Sequence, residues 1–360
     1  MLTKMSLNCI RNLLGSTDVK DHVATPALKE LFQKLHQQKQ SYAILHREDH
    51  HKIGKYPAAN FMVKSLMNKA QQKTNVYNVV WTTVTEKTVY KSSISVKCSL
   101  NIYYKDKELI PEDKIDILVD AISFVASFSD KNREFNIHLV LLNDKKRFRK
   151  TITPLHVNSG ACSYTDTSAE ICVFRMEECL KVLFHECIHG LRFSNVGSSK
   201  ASDDKYCERY NLNSKNILLD ETYTEIWARL LNCYYISQLG SGDALEKFCT
   251  CIALEKVFSL YQANKIIMPQ RTKKTMKIVL MPRKDLDKDT NVTAYYIGSA
   301  EVFQHLNKFL EFTGCEPYLK DNAGFHEFMT RECQRIPKMK VDPRDPMYKT
   351  MRMTVIELEI

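Results

Sequence analysis

No stretch of this 360-residue chain approaches the roughly 20 consecutive apolar residues that a membrane-spanning helix needs. The first residues, Met1 to Leu14, hold Lys4 and Arg11 among scattered apolar side chains, with no continuous apolar core and no small-residue cleavage site. They do not read as a signal peptide. The twelve cysteines include no CxxC pair, and only Cys249 and Cys251 are close in sequence. Dispersed cysteines in a Lys-rich chain without an export signal read as reduced thiols in a cytoplasmic protein, with no membrane partner. Internal repeats and low-complexity segments are also lacking.

What is present is ordinary for a globular protein: 44% hydrophobic and 26% charged residues, enough chain for one large domain or two lobes sharing a cleft. The net charge is +10, with basic runs at Lys145–Lys150 and Arg271–Lys277. Such runs allow a nucleic-acid partner. Neither lies in a recognisable nucleic-acid module, and a solvated lysine-rich surface accounts for them better.

Helical spacing runs from Thr25 to about Leu45, and again over Ala58–Gln71. The texture then changes to Val, Thr, Tyr and Ile in partial alternation over Val76–Val84 and Val89–Tyr104, which predicts strands. Pro111 opens a helix to Phe128, Phe135–Leu142 is a strand, Thr151–Cys162 is extended, Ile171–Phe174 is a short strand and Met176–Phe193 is a helix. This order predicts an α+β fold with helices packed on a small sheet. A polar loop to about Ser214 follows, then helices near Asn216–Leu239, Asp243–Ala263 and Gly298–Phe312. The expected division is 1–98, 99–194 and a mainly helical lobe at 195–360.

The chemistry centres on His185-Glu186-Cys187-Ile188-His189, an HExxH motif. On a helix, positions four apart share a face, so both imidazoles can bind one zinc ion and the adjacent glutamate can reach a water on it as general base. Leu180, Leu183, Phe184, Cys187, Ile188 and Leu191 stand where they would bury that helix. A polar trio there is costly unless something satisfies it. Hydrogen-bonded core histidines are the plainer alternative.

A third ligand is needed, and no histidine lies between His189 and His305. The HExxHxxGxxH pattern also fails, because Arg192 and Asn195 occupy the required positions. A carboxylate is the natural choice. Glu221 and Glu225 are four apart on a predicted helix, Glu221 placed to bind the metal and Glu225 to accept a hydrogen bond from a ligating histidine. The competing reading is an exposed acidic face paired with Arg229.

His185–His189 followed by Glu221xxxGlu225 resembles the gluzincin class of zinc metallopeptidases, over about residues 99–240. The chain as a whole is similar to metallopeptidase-like proteins of large DNA viruses, which implies the host cytoplasm or the virion as location. The gluzincin resemblance implies a zincin-like fold, one Zn²⁺ and hydrolysis of a peptide or protein substrate. It also implies a substrate bound as an added strand along the sheet edge above the zinc helix, with Asn158, Gly160 and Ala161 in that role. The usual aspartate is Glu225 here. A further oxyanion donor is expected from the second lobe. If Thr293–Gly298 is extended, only one of its adjacent tyrosines faces the cleft. Tyr296 is the expected donor, with Tyr295 and His305 as alternatives. His156 reads as structural. Two other readings remain: a zinc enzyme with Cys162 or Cys172 as ligand, and a basic interaction or nucleic-acid-associated protein that keeps a structural metal site.

Overall fold

The structure is a computed structural model that describes residues 1–16, 24–53, 75–87, 92–104, 109–149, 152–214, 216–267, 287 and 290–360. The helix expected at 58–71 and the basic run at 271–277 lie outside these residues. The fold is mixed α+β, with an open sheet of six strands.

The chain begins with α1 (Lys4–Ser16) and α2 (Pro26–Gln40). Thr25 caps α2 by accepting from Leu28 N at 3.3 Å, and Pro26 suits the first helical position. The helix ends at Gln40, earlier than its spacing suggests, because Tyr42 enters β1 (Tyr42–Ile53). β2 (Asn75–Lys87) and β3 (Ser92–Tyr104) complete an antiparallel trio with β1. Val79, Trp81, Thr83 and Thr85 alternate inward along β2, as the period of two demands. The expected boundary at 98/99 falls inside β3.

From β3 the chain crosses through α3 (Glu112–Ala126) to β4 (Arg133–Leu142), which runs parallel to β3. A helical turn, α4 (Pro154–Val157), interrupts the segment expected to be extended. Pro154 sets its first φ, and His156 Nδ1 accepts from Thr153 N at 3.0 Å. This makes His156 a cap. β5 (Gly160–Tyr164) and β6 (Ser168–Arg175) then form an antiparallel pair, and β6 runs parallel to β4. The spatial order is β1-β2-β3-β4-β6-β5, so β5 is an edge strand.

Next come α5 (Cys179–Leu191), α6 (Lys200–Tyr210), α7 (Leu219–Ser237) and α8 (Ala244–Ile267). The polar segment expected to be a loop contains α6, capped by Ser199 and ended by Asn211 in the left-handed region. Its few apolar residues hid it, but Tyr206 and Tyr210 are buried and both donate to Glu301, each at 2.5 Å. A π-helical turn, Thr293–Gly298, leads into α9 (Ser299–Gln304) and α10 (Leu306–Thr313), and α11 (Asn322–Glu327) and α12 (Pro346–Lys349) follow. No described helix is long and apolar enough to cross a membrane.

α5 lies between the sheet and α7, and Leu180, Leu183, Phe184, Cys187, Ile188 and Leu191 are all buried, as their positions predicted. Its C-terminal carbonyls of Gly190 and Leu191 accept from Arg133 at 2.9 and 3.4 Å, where a cation also complements the helix dipole. Gly190 is required here: a Cβ would stand 2.9 Å from the Ala169 Cβ of β6.

One buried carboxylate ties the helical half to the chain's last residues. Glu255 on α8 accepts from Arg229 Nε on α7 at 2.8 Å, and from Val355 N and Ile356 N at 2.9 and 3.1 Å. Removing it would leave a buried guanidinium unpaired. Glu255→Ala should lower folding stability by about 3–5 kcal/mol, measurable by urea unfolding. A loss below 1 kcal/mol would mean that this node is not what holds the segment.

Candidate metal centre

Two packed helices bring the ligand set together. α5 presents His185 and His189 one turn apart, and α7 presents Glu221 and Glu225 one turn apart on the facing side. His185 Nε2, His189 Nε2 and Glu221 Oε2 form a triangle with all three sides 3.2 Å. This is the one group of His, Cys, Asp or Glu among the described residues whose donor atoms converge as a metal site requires.

The triangle can be tested for fit. Zinc bonds of about 2.0–2.1 Å at the tetrahedral angle set ligand atoms about 3.3–3.4 Å apart. The observed spacing is within about 0.2 Å of that. Hydrogen bonding accounts for it less well. His185 Nδ1 lies 3.1 Å from Glu225 Oε2, so that nitrogen is the donor and the neutral tautomer leaves Nε2 as a bare lone pair. Whichever tautomer His189 takes, at most two of the triangle's three sides can be hydrogen bonds, and the remaining side calls for a cation among the three atoms. Burial works against a charge on His185, but Glu221, Glu225 and Glu186 outweigh it and raise its pKa to about 9. A proton on His185 meets part of that demand, and a metal ion meets all of it.

Glu225 is fully buried and stands where the sequence reading put it. Its Oε2 accepts from His185 and also from Lys181 Nζ at 2.9 Å, a partner that the sequence reading missed. Burial pushes the Glu225 carboxyl up, yet Lys181, His185 and Arg229 hold it down at about 2. Arg229 itself pairs with Glu255, not with an exposed acidic face. Glu221 is likewise held ionised: burial opposes its charge, and His185 and His189 overcome it.

Glu186 points into the cleft and makes no hydrogen bond to the described residues. Burial raises its carboxyl, and His185 and His189 offset this only in part. β5 lies directly over it, and only glycine permits that approach: a Cβ on Gly160 would be 2.6 Å from Glu186 Oε1. The cleft, about 400 Å³, is also lined by Asn158, Gly160 and Ala161, the expected substrate-side residues. Asn158 Oδ1 is buried without a partner among the described residues.

The tyrosine expectation requires a correction. Thr293–Gly298 is a π-helical turn and not extended, so its side chains fan around an axis. Tyr296 turns away from the cleft, and its hydroxyl donates to Met351 O at 2.5 Å. Tyr295 faces the cleft, and its hydroxyl donates to Glu221 Oε2 at 3.2 Å. Close packing fixes this: Thr222 Oγ1 donates to Ala294 O at 3.1 Å, and a Cβ on Gly298 would meet the same hydroxyl at 2.5 Å. His305 accepts from Gln334 N outside the cleft. Cys162 lines the cleft without joining the ligand group, and Cys172 belongs to a small apolar cluster with Val76, Tyr103 and Val140.

No protein-family model, curated protein or solved structure matches this chain significantly. The geometry predicts distinct metal affinities for two neighbouring carboxylates. By zinc titration calorimetry, Glu221→Ala should abolish tight binding, whereas Glu225→Ala should weaken it about 10–100-fold. The opposite order would reverse the roles of the two.

Proposed function

We propose that this protein is a zinc-dependent metallopeptidase of the gluzincin kind, with a zincin-like site in which His185, His189 and Glu221 hold one zinc ion. The observation that carries this reading is the triangle of donor atoms with 3.2 Å sides, with Glu186 beside it in the same cleft. When bound, zinc would supply a Lewis acid that polarises a carbonyl and acidifies a water.

The remaining roles follow from the chain's own groups. Glu186 is the general base: burial raises its proton affinity, and its lack of a hydrogen bond to the described residues leaves it free to take a proton and pass it to the leaving amine. Tyr295 is the oxyanion donor. Burial keeps its hydroxyl protonated, and it stands over the ligand set. The β5 edge offers backbone groups to an extended peptide, and Asn158 Oδ1 offers an acceptor for a peptide N–H. A site that kept its ion for structure alone would leave Glu186 without a task.

The test is hydrolysis of a mixed peptide library by zinc-loaded protein, read by mass spectrometry. Cleavage should vanish with a chelator and return with zinc. Glu186→Gln should keep its zinc while turnover falls about 10²–10⁴-fold. Unchanged turnover would remove Glu186 as the base. Tyr295→Phe should cost about 10²–10³-fold with zinc retained, whereas Tyr296→Phe should leave turnover near normal. Equal turnover in wild type and Tyr295→Phe would eliminate Tyr295 as the donor.

A further inference from the structure

The inner end of the cleft takes no part in the roles assigned to Glu186 and Tyr295. It lies at the first turn of α5, where Lys181 and Lys146 line it together with Val157, Ser159 and Met353. Lys146 belongs to the basic run read as solvated surface, yet it is 1% exposed, and Lys181 is 3% exposed. Each ammonium has three N–H groups but one carboxylate partner: Glu178 lies 2.7 Å from Lys146, and Glu225 lies 2.9 Å from Lys181, which also donates to Met353 Sδ at 3.5 Å.

Both carboxylates are engaged elsewhere as well. Glu178 Oε1 accepts from Met353 N and Thr354 N, each at 2.7 Å, and Glu225 Oε2 also accepts from His185. The anions are therefore shared, while ammonium donors remain over for the cleft. Arg175, 4% exposed, donates to Leu155 O through Nη2 and leaves Nε and Nη1 unpartnered among the described residues, which adds a third positive charge nearby. Lys181 occupies the first turn of a helix, where the dipole favours an anion and not a cation. Ser159 Oγ, on a residue 3% exposed, lines the same end without a partner among the described residues. Glu225 Oε1, Asn158 Oδ1 and Glu178 Oε2 also make no hydrogen bond to the described residues, and these acceptors an anion here must avoid or reach through water.

We propose that this inner end is a carboxylate-binding subsite that selects an acidic side chain, or a terminal carboxylate, on the C-terminal side of the scissile bond. The proposal rests on the peptidase reading for its orientation. β5 runs from Gly160, close to Val182 and Glu186, towards Tyr164, close to Arg192. A peptide added antiparallel to β5 therefore enters past Arg192 and lays its C-terminal part at Lys181. A hydrophobic pocket would discriminate by size; two spare ammonium groups discriminate by charge.

The experiment measures kcat/KM of zinc-loaded wild type on one cleavable, C-terminally amidated peptide with Glu, Gln or Lys directly after the scissile bond. A parallel set carries a free C-terminus at that residue. Binding of both sets to zinc-loaded Glu186→Gln gives a readout independent of turnover. Glu should exceed Gln by about 10–100-fold, as hydrogen bonds to charged groups allow, and Lys should be poorest. Lys146→Met should bring the Glu-to-Gln ratio of kcat/KM towards one. The wild-type order needs no variant, so misfolding of Lys146→Met would leave the proposal testable. Preference confined to the free-carboxylate set would support the subsite and identify the terminal group as its ligand. Cleavage with equal rates for Glu, Gln and Lys in both sets would overturn the subsite and leave the peptidase reading standing. Absence of both binding and cleavage would overturn the peptidase reading and the subsite with it.

Discussion

A helix buried on nearly all sides must here carry Lys181, His185, Glu186 and His189, and most of the surrounding architecture answers that constraint. Isolated buried charges cost several kcal/mol each. The remedy comes from α7, whose Glu221 and Glu225 face α5 at hydrogen-bonding distance. For this the two helices must keep one register. Thr222 against Gly298 and Arg229 against Glu255 fix α7 at two positions, about two turns apart, beyond Glu221. On the other side, Gly190 and Gly160 let the sheet approach α5 closely enough for β5 to roof the cleft.

Much of this was legible in the residues because it depends on period. The spacing of four placed His185 with His189 and Glu221 with Glu225, and the lack of any histidine between His189 and His305 pointed to a carboxylate. The apolar positions of α5 followed from the same period. What failed was the assignment of local conformation. Tyr295 and Tyr296 can be separated only by knowing that their segment winds as a π turn, and that is set by packing against α7. α6 was missed because its helix is held by Tyr206 and Tyr210 on Glu301, a contact nearly a hundred positions away. Lys146 was misread because a basic run on paper gives no sign that one member turns inward. Lys181 could have been noticed: a lysine four positions before His185, in an otherwise apolar helix, demands an anion of its own.

A single oxygen, Glu225 Oε2, joins the two halves of the cleft, since it accepts from His185 on the ligand side and from Lys181 on the inner side. Its ionisation is maintained by both, so the electrostatics of the ligand set and of the inner end are coupled. This explains why a lysine is tolerated at the first turn of α5: it offsets the carboxylate that orients His185. The cleft thus carries the His185, His189 and Glu221 triangle and, at the first turn of α5, the buried Lys181 and Lys146.

X-ray absorption at the zinc edge, on protein loaded with one equivalent of zinc, reads the coordination of His185, His189 and Glu221 itself. The expected spectrum is that of four-coordinate zinc with two imidazole nitrogens and one carboxylate oxygen at about 2.0–2.2 Å, and a light fourth ligand. The imidazole signal should halve in His189→Ala. A six-coordinate spectrum, a sulfur shell near 2.3 Å, or a spectrum unchanged by His189→Ala would contradict it.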